Sequence, residues 1–288
     1  MSINPLSYIN ISHNYPEVVH KYLQKTSVNS KIGGQPPGFA DYLRGTMALY
    51  QYCKKYNYIL KFDKICHPIF KYLSIPPNLI TTKQYSHTFE LLPPYGYQEM
   101  PCILDAMFGS GADFSILTNC FYNESVDLID TYSFIKSFLV PSDIIKKQIV
   151  NIKQELNIDF NKPYTVIHTR LGDRYLVDKN SINIEEINKI RAEINKLRNK
   201  ENIQLLFIAD SKEIKDHVKD LCNTTSTVPI HTGSLDITSV DENLITTLSE
   251  FFIMAGSSEI YCLSYWGGSG FSMICSKIFS IPYYAISL

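Results

Sequence analysis

Apolar residues in the C-terminal half of this chain come in short unbroken runs separated by stretches with helical spacing. Residues 164–168 read Tyr-Thr-Val-Ile-His, aromatic and β-branched up to the closing histidine, which is the composition of a strand buried on both faces. The pattern then predicts a helix over 184–200 with Glu185, Glu186, Arg191 and Glu193 outward, followed by a buried strand over 203–209. A helix capped at Asp210-Ser211 runs to 221, and a short strand follows at 228–230. A helix over 241–255 has Leu244, Leu248, Phe251 and Phe252 inward. Strands at 259–263 and 282–286 flank a helix over 271–279. Five strands with intervening helices define a doubly wound, Rossmann-like domain.

The N-terminal half is less regular. Val18, Val19, Tyr22 and Leu23 fit a helical spacing and predict a helical lead-in up to about residue 27. A β-prone piece at 27–32 meets Gly33-Gly34-Gln35-Pro36-Pro37-Gly38, a dense loop signal. Phe39, Tyr42, Leu43, Met47, Leu49, Tyr50 and Cys53 then mark one helix face, and 58–62 reads as the next strand, so the half opens with a βαβ unit. Rigid turns at 75–78 and 92–96, a flexible one at 107–112, a strand at 115–121 and a helix over 142–156 complete it. That helix would turn Ile144, Ile145, Ile149, Ile152 and Leu156 inward. The expected fold class is α/β with two facing Rossmann-like domains, an N-terminal one over 1–160 and a C-terminal one over 161–288.

Composition narrows the function. A 45% hydrophobic content with 19% charged residues suits a globular chain, and its 288 residues are enough for two ordinary domains. Net charge is −1 with no long charged run, which disfavours a nucleic-acid or polyanion binder, so any phosphate must be held by a few placed cations. The seven cysteines are scattered without a C-x-x-C pair and support neither a zinc site nor a disulfide framework. The N-terminus lacks a basic stretch leading into an apolar core, and no apolar run approaches the roughly 20 residues that span a bilayer. The expectation is a cytoplasmic protein with no transmembrane segment.

The candidate chemistry sits where the predicted strands end. After His168 come Thr169, Arg170, Gly172 and Asp173 in one short loop, and in an open α/β sheet ligands bind at the carboxyl ends of the strands. An arginine fork matches phosphate oxygens, and a glycine lets backbone come close to a ligand. An Arg170–Asp173 structural ion pair is the competing reading. Ala209-Asp210-Ser211 closes the next strand, where Asp210 is either a site residue or a simple helix cap. Trp266-Gly267-Gly268-Ser269-Gly270-Phe271-Ser272 leads into a helix whose first amides would cradle a diphosphate.

Taken together these blocks resemble the fucosyltransferase superfamily, which includes α1,2-, α1,6- and protein O-fucosyltransferases. His168-Thr169-Arg170-Leu171-Gly172-Asp173 is similar to its H-x-R-x-G-D motif. Gly33 to Gly45, with Leu43-Arg44-Gly45 in the helix, is similar to its N-terminal loop motif. Asp210 resembles its second motif, and Ser269, Phe271 and Ser272 its third, from which Gly270 departs. The resemblance implies the GT-B architecture and transfer of fucose from GDP-fucose to a glycan or protein hydroxyl, inverting and without a metal or other cofactor. No Asp-x-Asp pair occurs in the chain. Leaving-group stabilisation would fall to Arg170, with Gly33, Gly34, His168, Gly172, Asp210, Ser269, Gly270, Phe271 and Ser272 around the donor. The base would be Asp41, with Asp173 and His168 as alternatives. Bland readings of Asp41 as a charge at the helix start and Arg44 as a solvated residue stay open. So do two functional alternatives, a GT-B enzyme using another nucleotide sugar and a catalytically inactive glycan-binding relative.

Overall fold

The computed structural model describes residues 15–21, 38–63, 68–91, 99–156, 158–171, 183–199, 203–227 and 240–288. The chain divides into two α/β units. The first runs to Val140, and the second comprises Pro141–Leu288 with Gly38–Ala40 and Lys71–Leu73.

In the first unit the elements run β1 (Glu17–His20), α1 (Phe39–Tyr56), β2 (Ile59–Asp63), β3 (Ile80–Thr81), β4 (Thr88–Leu91), α2 (Met100–Gly109), β5 (Phe114–Thr118) and α3 (Leu128–Phe138). The strands form one parallel sheet in the order β3-β2-β1-β5-β4. The central strand is the stretch 17–20, which the spacing had assigned to a helical lead-in. Val18, Val19 and His20 are all fully buried. A central strand of a parallel sheet is covered on both faces and shows no alternation, so its adjacent valines mimic two positions of a helical face. The β-prone piece at 27–32 lies outside the described residues. The expected flexible turn at 107–112 is in part helix, since Met107, Phe108 and Gly109 close α2, and Gly111 then turns the chain at φ +70°.

In the second unit the order is α4 (Asp143–Glu155), β6 (Tyr164–Arg170), α5 (Ile184–Arg198), β7 (Gln204–Ala209), α6 (Lys212–Val218), β8 (Asn223–Thr224), α7 (Val240–Ala255), β9 (Glu259–Ser264), α8 (Gly270–Phe279) and β10 (Tyr283–Ser287). The parallel sheet has the order β10-β9-β6-β7-β8. Asn183 opens α5 by accepting from Glu185 N at 3.0 Å, while the Glu186 carboxylate accepts from Asn183 N at 3.4 Å. Ile187, Ile190, Ile194 and Leu197 of α5 and Ile214 and Val218 of α6 share one core with Ile167, Phe207 and Leu263 of the sheet. Helix α4 packs on α7 and buries Ile145 and Ile152, with Leu156 buried just past its end, whereas Ile144 is exposed rather than inward. The strand expected at 228–230 lies outside the described residues, and the short strand beside β7 is β8.

Both sheets follow one rule. Strands run outward from a central first strand, then the chain returns to its other side, so the strand order reverses between β1 and β5 and between β6 and β9. Such reversal points leave a crevice at the strand carboxyl ends. Among the described residues no helix is long and apolar enough to cross a membrane.

Candidate functional site

The second unit places the predicted phosphate-binding elements at its reversal point. Alternation along β6 sends His168 and Arg170 to the same side of the sheet, and in register Arg170 lies opposite Ser264, the last residue of β9. The Arg170 guanidinium meets Asp210 at 3.2 Å, and the other Asp210 oxygen accepts from Leu171 N at 3.3 Å. Asp210 therefore holds the arginine at the strand end. The cap of α6 belongs to Ser211, whose hydroxyl accepts from Ile214 N.

The β9–α8 loop is a folded turn. Ser264 Oγ accepts from Gly268 N at 2.8 Å and donates to Gly268 O at 3.0 Å, closing the loop over Tyr265, Trp266 and Gly267. Gly267 and Gly268 have φ of +68° and +149°, and a Cβ on Gly268 would sit 3.2 Å from the Tyr283 hydroxyl, so Gly268 calls for glycine and Gly267 favours it. Trp266, the only tryptophan in the chain, is 67% exposed on this turn. Ser269 takes the N-cap position of α8 without a side-chain cap bond, and no acidic residue stands in the first turn. The first amides of α8 thus keep the positive end of the helix dipole uncompensated by the helix's own side chains.

His168 and Ser272 lie behind this surface. Both are buried, and His168 Nδ1 is 3.0 Å from Ser272 Oγ. Burial, reinforced by the charges of Arg170 and Lys215, lowers the His168 pKa to about 3, so the ring is neutral at ordinary pH. Phe271 packs a tilted ring on His168 at 5.8 Å. Tyr283 completes the support, accepting from Ser269 N at 3.2 Å with its hydroxyl 3.5 Å from Ser272 Oγ. The ends of β6 and β7 and the start of α8 bring Arg170, Asp210, Ser269 and Gly270 to the candidate site, with His168, Phe271 and Ser272 behind them.

Sequence reading missed Ser264 and Tyr283. A serine closing a strand before Gly-Gly is a usable signal, whereas a tyrosine in the final strand carries none. It also missed a buried ion pair, Lys215–Glu250 at 3.3 Å, in which Glu250 Oε1 accepts from Thr225 Oγ1 at 2.7 Å and burial raises the Glu250 carboxyl above its ordinary value.

The first unit carries a different cluster at its own reversal point. Asp41 Oδ1 accepts from Arg44 at 2.7 Å, and Arg44 Nε donates to Asn119 O at 3.3 Å. The Arg44 guanidinium lies 4.1 Å from the Phe121 ring centroid, so Arg44 is an organised, largely buried residue rather than a solvated one. The Leu43-Arg44-Gly45 stretch acquires a physical reason here. Leu43 is fully buried, and a Cβ on Gly45 would stand 2.0 Å from Thr118 O, so only glycine lets α1 lie against the end of β5. His20 is buried beneath, stacked on Tyr42 at 4.2 Å and 3.0 Å from Thr46 Oγ1, and burial lowers its pKa to about 3. Gly33, Gly34, Gly172 and Asp173 lie outside the described residues.

No family model matches the chain, and no curated protein matches it by sequence. Solved structures do match its fold. A Bradyrhizobium NodZ α-1,6-fucosyltransferase, in crystals soaked with GDP-fucose, superposes with a TM-score of 0.56 at 12% identity over 92% of each chain. FUT1 of Arabidopsis thaliana in complex with GDP gives 0.58 at 9% identity over 96% of this chain and 71% of its own. The apo form of POFUT1 gives 0.51 at 11% identity over 96% and 100%.

Proposed function

We propose that this protein is a member of the fucosyltransferase superfamily that transfers fucose from GDP-fucose to a hydroxyl acceptor. The observation that carries the reading is the pairing of Arg170 with Asp210 at the β6 end, beside the glycine-rich start of α8, in a fold shared with fucosyltransferase structures. A fixed guanidinium and a row of helix-start amides at one reversal point form a receptor for a diphosphate. In the proposed reaction the bond from the anomeric carbon to the β-phosphate oxygen breaks as the acceptor oxygen bonds to that carbon from the opposite face. Arg170 and the α8 amides take up the negative charge that develops on the diphosphate, the term that gains most in the transition state. The acceptor proton passes to the Asp41 carboxylate, whose Oδ1 is already engaged by Arg44. No step calls for a metal ion.

Calorimetric titration of GDP, UDP and GDP-fucose without added metal, on wild type and Arg170→Ala, tests the proposal. Loss of one charge-assisted phosphate contact is expected to weaken GDP binding by about 1.5–3 kcal/mol, roughly ten- to a hundredfold. A preference for UDP would keep a nucleotide-sugar transferase and discard fucose. Absence of nucleotide binding would sink the enzyme and leave an inactive glycan-binding relative.

A further inference from the structure

We infer that Phe39, the first residue of α1, is a positioning residue for the diphosphate receptor, and that it holds the first turn of α8 in place through Phe251. The inference rests on the diphosphate-binding part of the reading above and is independent of which base or sugar the donor carries.

A helix start binds an anion through the direction of its free amides, so whatever sets the tilt of the first turn sets the affinity. The start of α8 is not held by its own cap, because Ser269 makes no side-chain cap bond. Its support comes from other elements. Ser269 N is fixed by the Tyr283 hydroxyl at 3.2 Å. The two residues that follow are supported by packing. The Phe271 ring meets Phe251 of α7 at 5.4 Å and 66°. Phe251 is fully buried and meets the Phe39 ring edge-on, at 5.1 Å and 84°. Beside it, Ala40 Cβ lies 3.8 Å from where a Cβ on Gly270 would stand. The opening residues of α1 thus lie alongside the first residue of α8 and reach the second through Phe251. They belong with the second unit, whereas α1 from Asp41 onward belongs with the first.

The Phe251 ring also packs on Phe279, the last residue of α8, at 6.2 Å, so a shift of Phe251 is felt at both ends of that helix. A close-packed interior passes a lost volume on as displacement of its neighbours. Arg170 does not share this support, since Asp210 holds it separately at 3.2 Å. Removing the Phe39 ring therefore moves the α8 amides relative to the guanidinium, and a diphosphate needs both at once.

The test is calorimetric titration of pyrophosphate, GDP and UDP without metal on the full chain, for wild type, Phe39→Leu, Phe39→Ala and Ile190→Val. Ile190 of α5 is fully buried in a core cluster that draws no described residue from α8, so its variant lowers stability without disturbing the receptor. Pyrophosphate and GDP affinity are expected to fall about tenfold in Phe39→Ala and about threefold in Phe39→Leu, and to stay unchanged in Ile190→Val at a comparable loss in denaturation midpoint. If Phe39→Ala does not fold, Phe39→Leu decides. Wild-type pyrophosphate affinity in the folded Phe39 variants, or an equal loss in Ile190→Val, overturns the inference. So does a wild type that binds no pyrophosphate. Equal wild-type affinity for GDP and UDP, with the loss in the Phe39 variants retained, would discard the GDP-fucose reading and leave the role of Phe39 standing.

Discussion

The two sheets both run outward from a histidine-bearing central first strand and differ in the order of their last two strands, and their reversal points also differ chemically. In the second unit the helix that starts there, α8, has glycine at its first position, no acidic residue in its first turn and a two-glycine turn before it. In the first unit α1 brings its own carboxylate, Asp41, into its first turn and neutralises it with Arg44. A helix start that already holds an anion has little to offer a phosphate, whereas one without acidic groups attracts it. Topology thus supplies a crevice twice, and the residues at each helix start set its charge: amides uncompensated by acidic side chains in the second unit, a carboxylate paired with an arginine in the first.

Four substitutions or conditions would break or sharpen this contrast. The largest effect is expected from Gly45→Ala, which drives a methyl into the Thr118 carbonyl and should cost about 3 kcal/mol or more in chemical denaturation. A wild-type midpoint for that variant would mean that α1 does not rest on β5 as described. Next, Asp210→Asn removes the carboxylate that steers Arg170, and about a tenfold loss in GDP affinity with near-normal folding is expected by calorimetry. An unchanged affinity would show that Arg170 needs no such support.

Acid probes both units at once. His20 and His168 titrate near 3 when folded and near 6.5 when unfolded, so below pH 6.5 the unfolded chain binds more protons. Stability is fully present above about pH 6.5 and falls as pH drops toward 3, by about 1.4 kcal/mol per pH unit for each histidine. Denaturation midpoints from pH 7 to 5 should decline accordingly, and His20→Gln should remove about half of this histidine-linked slope. A decline left untouched by that substitution would locate the acid sensitivity elsewhere. The smallest effect is expected from Tyr283→Phe, which deprives Ser269 N of its acceptor and should weaken GDP binding or stability by about 0.5–1.5 kcal/mol.

Legibility in the sequence followed contact range. Strands β6, β7 and β9 and the helices between them were readable because long buried runs and capped helices announce themselves locally. The polar groups at the strand ends were readable for the same reason, since Arg170, Asp210 and the Gly/Ser loop each sit just past such a run. Strand β1 was misread because three consecutive buried residues, Val18, Val19 and His20, hold no period, and α2, α3 and β4 were passed over. The site's backing was hidden further. The contact between His168 and Ser272 spans 104 residues, and that between Arg44 and Asn119 spans 75.

The sequence by itself determined the alternation of strands and helices, the placement of glycines where φ must be positive and the delivery of a guanidinium to a strand end. These are consequences of backbone sterics and of hydrophobic periodicity, which act within a few residues. Only the tertiary structure decided which carboxylate holds Arg170, that Ser272 and His168 face inward, and that Gly45 lets a helix rest on a strand end beside Phe121. Those facts depend on strand order and on close packing between elements far apart in the chain, and no local pattern carries them.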